Sequence, residues 1–367
     1  MWRYELPSQG IGGVAATQDF VIVSSRDASD KSDLFVLLDA ESGIPLWELR
    51  YLSDLSLDYG NSPRVVPLLT ETKVYCLGAQ GWLHCLDIES GAIRWKRHMV
   101  DDLGGKQPQW GYASSPILID NQLIVQPGGL EAGWVALDPK TGKVLWKTNG
   151  RPAAYASPIA IEYRGQKQFI GYDNVSLGGW SPIDGQRLWE MKPEIAKDFN
   201  VPTPLIVHNK IFVVTENNGA RLYSIAPSME ASDANHYKFN LTLDSSTDLL
   251  TGDSQSPVRV GKLIAGVDRD LVVLDPADQL REVARFSDPV LQGYCTLIAE
   301  SNRVWICTGS GTQLLLTIDS NGIQELGRFQ AMEEAGEIFA HPAICNGSLY
   351  LRGPTWIDAY SLAESKP

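Results

Sequence analysis

Apolar residues come in short runs parted by polar turns, and the order of those runs repeats. One stretch reads Ile117-Leu118-Ile119, then polar Asp120-Asn121-Gln122, then Leu123-Ile124-Val125, Trp134-Val135-Ala136-Leu137 and Val144-Leu145-Trp146. Runs this short, bounded by turn formers and rich in β-branched and aromatic residues, read as strands rather than helix faces. The order returns at Leu205-Ile206-Val207, His208-Asn209-Lys210 and Ile211-Phe212-Val213-Val214. Each unit thus predicts four short strands and almost no helix.

A turn motif marks the last hairpin of each unit. It is Asp39, Gly43 and Trp47; Asp87, Gly91 and Trp95; Asp138, Gly142 and Trp146. A fourth copy keeps Gly185 and Trp189 but has Ser181 at the Asp position. An Asp carboxylate accepts backbone N–H bonds to start a turn, and glycine supplies the positive φ. The Trp on the returning strand is wide enough to fill the gap to a neighbouring sheet. Successive tryptophans lie 48, 51 and 43 residues apart, the spacing of a repeated supersecondary unit. A second signal, a small or polar residue before proline, precedes the units: Ser62-Pro63, Ser115-Pro116, Ser157-Pro158, Thr203-Pro204, Ser256-Pro257 and His341-Pro342.

Four strands per repeat predict the blades of an all-β, closed propeller forming a single domain over 1–367. The blades fall at 12–50, 61–98, 112–149, 155–192, 201–243, 254–287, 293–330 and 339–363, with a seven-bladed ring as the alternative. The last blade lacks a fourth strand. Met1 to Leu6 supplies it, with Trp2 at the bolt position, and so closes the ring and removes two exposed sheet edges. Later units are degenerate: Gln279 stands for Gly and Val283 for Trp after Asp275.

Composition narrows the function. Net charge is −13, and no basic patch exceeds Arg94-Trp95-Lys96-Arg97, so a nucleic-acid partner is not expected. No segment approaches the roughly 18 apolar residues of a membrane helix. Residues 2–6 already read as folded strand, so any targeting segment would precede this chain. Five cysteines are too few for a disulfide framework. Cys76 and Cys85, and Cys295 and Cys307, flank turns symmetrically. Either buried thiols or cross-strand bridges fit that placement.

The stretch Leu137-Asp138-Pro139-Lys140-Thr141-Gly142-Lys143-Val144-Leu145-Trp146 resembles the repeat of quinoprotein-like, or PQQ-type, propellers. So does Pro108-Gln109-Trp110-Gly111 through Ser115-Pro116 to Gly128-Gly129. The resemblance implies an eight-bladed ring in the periplasm or another extracytoplasmic setting. One branch of the family, the quinoprotein dehydrogenases, carries pyrroloquinoline quinone and calcium over the axis, often beside adjacent cysteines. This chain has no Cys-Cys, and the calcium ligands of that branch have no counterpart here. The other branch, of BamB type, is non-catalytic and offers the ring as an interaction surface. The chain fits that branch better, as a monomer binding a protein, small molecule or glycan.

The ring-face candidates are Tyr59, Asn61, Arg64, Trp110, Tyr112, Tyr155, Asn200, Gln255, Tyr294 and His341. A polar ring with several aromatics suits a ligand site, although the same tyrosines would also serve to cap blade cores. No catalytic set is expected. His84, His98, His208, His236 and His341 are scattered and form no His-x-x-x-His pair, and Asp27, Asp30 and Asp33 read as a solvated loop. Gly128-Gly129 and Gly178-Gly179 read as loop glycines.

Overall fold

A computed structural model describes residues 1–228, 238–252, 254–332 and 337–362. The strands assemble into eight four-stranded antiparallel sheets. Seven take consecutive strands, spanning 15–52, 68–98, 117–147, 159–191, 205–247, 258–286 and 295–330. The eighth joins Ala343–Cys345, Ser348–Arg352 and Trp356–Ser361 to the N-terminal Trp2–Glu5, pairing Trp2 with Ala359 and Glu5 with Trp356. This is the eight-bladed, N-terminally closed propeller the repeats predict. The fifth blade runs four residues past its expected end.

First strands of neighbouring blades touch, as between blades 1 and 2 and blades 6 and 7, so they line the axis. Each blade interface holds its own apolar cluster. Ile22, Phe35, Val74 and Leu86 join blades 1 and 2; Val273, Leu291, Ile306 and Leu314 join blades 6 and 7. Because inner strands are buried on both faces, they read as continuous apolar runs such as Leu34 to Leu38.

The turn motif works as expected in blades 1 to 3. Asp39, Asp87 and Asp138 each accept the backbone N–H three residues on, and Gly43, Gly91 and Gly142 have φ near +70°. The tryptophans act at the outer rim. Each of four donates its indole N–H to the turn of the next blade: Trp2 to Ala40 (3.0 Å), Trp47 to Ile88 (2.7 Å), Trp95 to Pro139 (3.2 Å) and Trp146 to Pro182 (3.0 Å). The indoles lie on the turn glycines. A Cβ on Gly43, Gly91, Gly142 or Gly185 would come within 2.4–2.6 Å of the ring. Only Trp95 of these four is fully buried; the others are partly exposed latches. Trp189 is buried but bonds Gln168 of its own blade.

Four expectations need correction. The proline that opens the first strand of blade 2 is Pro67, preceded by Val66; Ser62-Pro63 lies in the connection before it. Gly178 and Gly179 sit in the strand Leu177–Trp180, where a Cβ would strike the Trp180 and Trp189 rings, so they make room for indoles. Asp33 is fully buried, paired with Arg26 at 2.7 Å and bonded by the Tyr51 hydroxyl, and is no part of a solvated loop. Register sets Ala284, not Val283, opposite Val273 at the Trp place of blade 6. The cysteines are free, as the buried-thiol reading expects. Pairing sets Cys76 opposite His84 and Cys85 opposite Tyr75, one residue out of register, so the two thiols project from opposite faces of the sheet. The same offset separates Cys295 and Cys307. His236 and Asp253 lie outside the described residues.

Candidate functional site

Antiparallel strands put the connections between blades, and the turns between second and third strands, on one face of the ring. The Asp-Gly turns lie on the other face. The inner rim of the first face is set by the residue two positions before each first strand: Gly13, Val66, Ser115, Ser157, Thr203, Ser256, Gly293 and His341. These touch around the axis. Ser157 Oγ accepts from Ser115 N and Ser256 Oγ from Thr203 N, both at 3.0 Å. A Cβ on Gly13 would meet both Val66 and His341.

Aromatic side chains from four successive connections gather above this rim. Trp110 is the hub. Its ring centroid lies 4.9 Å from Phe199, 5.2 Å from Tyr155 and 6.3 Å from Tyr59. Tyr59 is 82% exposed, on a residue with φ +63°, and Phe199 is 46% exposed between Asp198 and a left-handed Asn200. Non-glycine residues held at positive φ carry a conformational cost, and such strain concentrates at working surfaces. Exposed contiguous apolar rings likewise mark interaction sites.

Arg64 stands beside this shelf. Its guanidinium donates to the carbonyls of Ser62 (2.8 Å), Asp58 (2.8 Å) and Gly60 (2.9 Å), and no carboxylate pairs with it among the described residues. Desolvation pushes its pKa down, while Asp33 and Tyr155 act in the opposite direction. The three carbonyls fix an uncompensated cation in place, with N–H groups left to donate.

The other candidates divide into two groups. Tyr112 is buried and donates to Pro127 O at 3.1 Å, so it belongs to the core of blades 2 and 3. Asn200 is also buried; its carbonyl accepts from Ala156 N and its amide donates to Asp173 O, stitching the connection that presents Phe199. Asn61 donates to Asp30 at the edge of the shelf. Across the axis, Gln255 donates to Gly293 O (3.3 Å), and the Tyr294 hydroxyl lies 3.5 Å from His341 Nε2. A cavity of about 380 Å³ opens there, lined by Pro289, Val290, Tyr294, Ser310 and Glu337. His341 is exposed yet its pKa is lowered by desolvation, as expected of a group inside a concave mouth. Burial likewise raises the Tyr294 phenol.

Sequence reasoning missed Phe199 and Glu337. Phe199 was legible as an aromatic beside Asn200. Glu337 carried no repeat signal.

The inner rim offers hydroxyls and one imidazole but no carboxylate. Among the described residues no three His, Cys, Asp or Glu groups are placed to hold a metal ion. A calcium-bound quinone needs several oxygen ligands around the ion, and the eight rim positions supply hydroxyls but no carboxylate toward them.

Eight blades, with indole latches at four of their interfaces, define a propeller of the PQQ-repeat class. Residues 30–282 match the family model described as outer membrane protein assembly factor BamB, and the chain belongs to that family. Among solved structures, it is similar to BamB from Moraxella catarrhalis, at 14% identity and TM-score 0.63 over 100% of both chains. It also resembles the computationally designed Ika8 protein (12% identity, TM-score 0.65, 97% of this chain and 98% of that one). Quinohemoprotein alcohol dehydrogenase from Comamonas testosteroni matches at 12% identity and TM-score 0.50, over 100% of this chain and 76% of that one. At such identities the likeness is one of fold. No curated protein sequence matches the chain.

Proposed function

We propose that the protein is a non-catalytic scaffold that docks a partner protein on the face carrying Tyr59, Arg64, Trp110, Tyr155 and Phe199. The observation that carries this reading is the convergence of four aromatic rings from four successive blades beside an unpaired, pre-positioned arginine. Tyr, Trp and Arg are the residues that dominate binding energy at protein interfaces. The family supports the reading, since its description is that of an assembly factor. It also favours an extracytoplasmic location. A closed ring needs no second copy to cover a sheet edge, so the protein acts as a monomer.

A second reading has its own observation. The cavity lined by Tyr294, Ser310 and Glu337 is large enough for a small molecule or a sugar unit. It would make the ring a ligand-binding propeller.

The test is photocrosslinking in the native host with a reactive residue at position 59. A single protein adduct, lost in Trp110→Ala while the melting temperature holds, is expected. Binding undiminished in a Tyr59→Ala, Trp110→Ala double variant would overturn the proposal. So would a bound-quinone absorption band with dye reduction after adding quinone and calcium.

A further inference from the structure

Arg352 ends the second strand of blade 8 and is 1% exposed. Its Nη2 donates to Ser24 O at 3.0 Å, while Nε and Nη1 have no partner. Arg26, the other arginine buried to this depth, shows the ordinary solution: it donates to the carboxylates of Asp30 and Asp33 and to the carbonyls of Asp30 and Ser53. Nothing comparable surrounds Arg352. Among the described residues no carboxylate pairs with it, and no charged group offsets the desolvation that lowers its pKa to about 9. Guanidinium remains protonated in proteins, so the charge persists at neutral pH.

The surroundings are shaped for close approach. The connection 7–14 lies directly on the guanidinium, where a Cβ at Gly10 would come 2.1 Å from Nη2. Gly12 lies on Ser24 in the same way, with a Cβ only 2.4 Å from Oγ. That Ser24 hydroxyl is buried and is itself without a partner. Two orphan N–H donors of a cation, and the orphan hydroxyl of the residue whose carbonyl that cation binds, therefore lie beneath one glycine-rich connection. An isolated buried charge is strongly unfavourable unless an opposite charge joins it, and water satisfies hydrogen bonds without neutralising charge.

We propose that Arg352 and Ser24 bind a small monovalent anion, of the chloride class, drawn from solution beneath the Gly10–Gly13 connection. The ion accepts from Arg352 Nε or Nη1 and from Ser24 Oγ. It neutralises the one seam, between blades 8 and 1, where the ring is closed by its two chain ends. Binding to the folded state alone stabilises it in proportion to the logarithm of anion concentration.

The test compares melting temperature in sodium chloride and in sodium gluconate at equal ionic strength, gluconate being too bulky to enter. Chloride is expected to raise the midpoint by about 2 °C or more at half-molar concentration. In Arg352→Met the two salts should give the same midpoint. Equal midpoints in the parent protein, or a chloride effect that survives in Arg352→Met, would overturn the proposal. A crystal of the unaltered protein in sodium bromide supplies a reading that does not depend on the variant folding. An anomalous peak beside Arg352 Nη1 supports the site, and a bromide-bearing crystal with none there refutes it. Formate in place of chloride asks whether a carboxylate suffices. Stabilisation by formate but not chloride would contradict the assignment to a halide.

Discussion

Blades 8, 1, 2, 3 and 4 are joined differently from blades 4 to 8. In the first set every interface carries an indole N–H to the next blade's turn, with a glycine beneath the ring. In the second set that device is absent, and the apolar cluster common to every interface stands with other contacts across it. At the interface of blades 5 and 6, Leu280 is buried in the shared cluster with Phe212 and Leu222. It comes from the turn whose motif has lost Gly and Trp. Tyr163 reaches Ile225 O and packs on Phe239 between blades 4 and 5, while Phe329 meets Tyr360 between blades 7 and 8. An interface of this fold thus requires buried apolar area, and the latch is an addition to it. The aromatic shelf draws three of its four rings from connections leading into blades 2, 3 and 4, which are latched on both sides or one.

The largest expected effect tests the closing seam. Removing residues 1–6 takes away a paired strand, the Trp2 latch and buried Leu6, and should lower stability by about 3–6 kcal/mol. An unchanged denaturation midpoint would show that the ring does not depend on its N-terminal strand. Next comes Trp95→Ala, which empties the one deeply buried latch and should cost about 3–5 kcal/mol by urea denaturation. Val283→Ala, at the 37% exposed bulge residue beside Ala284, which holds the Trp place of blade 6, should cost less than about 1 kcal/mol. Equal losses at the two sites would erase the distinction between the halves.

A pH effect separates the halves in another way. His84, between blades 1 and 2, is buried against Tyr51, and desolvation lowers its pKa to about 4, with Lys96 adding to the shift. The unfolded chain binds this proton near pH 6.5, so the unfolded state is favoured as pH falls. The contribution is intact above about pH 6.5 and declines by about 2–3 kcal/mol as pH drops toward 4. Replacing His84 by Phe should flatten that slope in a pH series of melts. The smallest effect belongs to the degenerate turn of blade 6. Gln279 has φ +50°, and Gln279→Gly should stabilise by no more than about 1 kcal/mol. A destabilisation there would mean that the side chain makes contacts outweighing its backbone strain.

Much of this architecture was legible because its causes are local. Asp, Gly and Trp at fixed spacing encode a turn and a latch, so blades 1 to 4 could be read from Asp39 to Trp189, and ring closure from Trp2 and the missing fourth strand of 339–363. Where a signal depended on register, the reading slipped. Ser62-Pro63 resembles Ser115-Pro116, yet the chain inserts four residues before the strand begins at Leu68. The cysteine pairs look symmetric about their turns, but a one-residue offset sends them to opposite faces. Gly178 and Gly179 looked like loop residues because the packing of Trp180, on the same strand, and of Trp189, on the next strand, over them is set by the folded sheet. For the site, Tyr59, Trp110 and Tyr155 were named because each lies in a connection that leads into a first strand. Phe199, Glu337 and buried Arg352 were not, since convergence and burial across the ring are long-range consequences of closure.

The account rests on one face of the ring being the working one. Photocrosslinkers placed at position 59 and at position 183 read this directly, because Ile183 is 71% exposed in a turn of the opposite face. The account predicts a partner adduct from position 59 and none from position 183. An adduct from position 183 alone would contradict it.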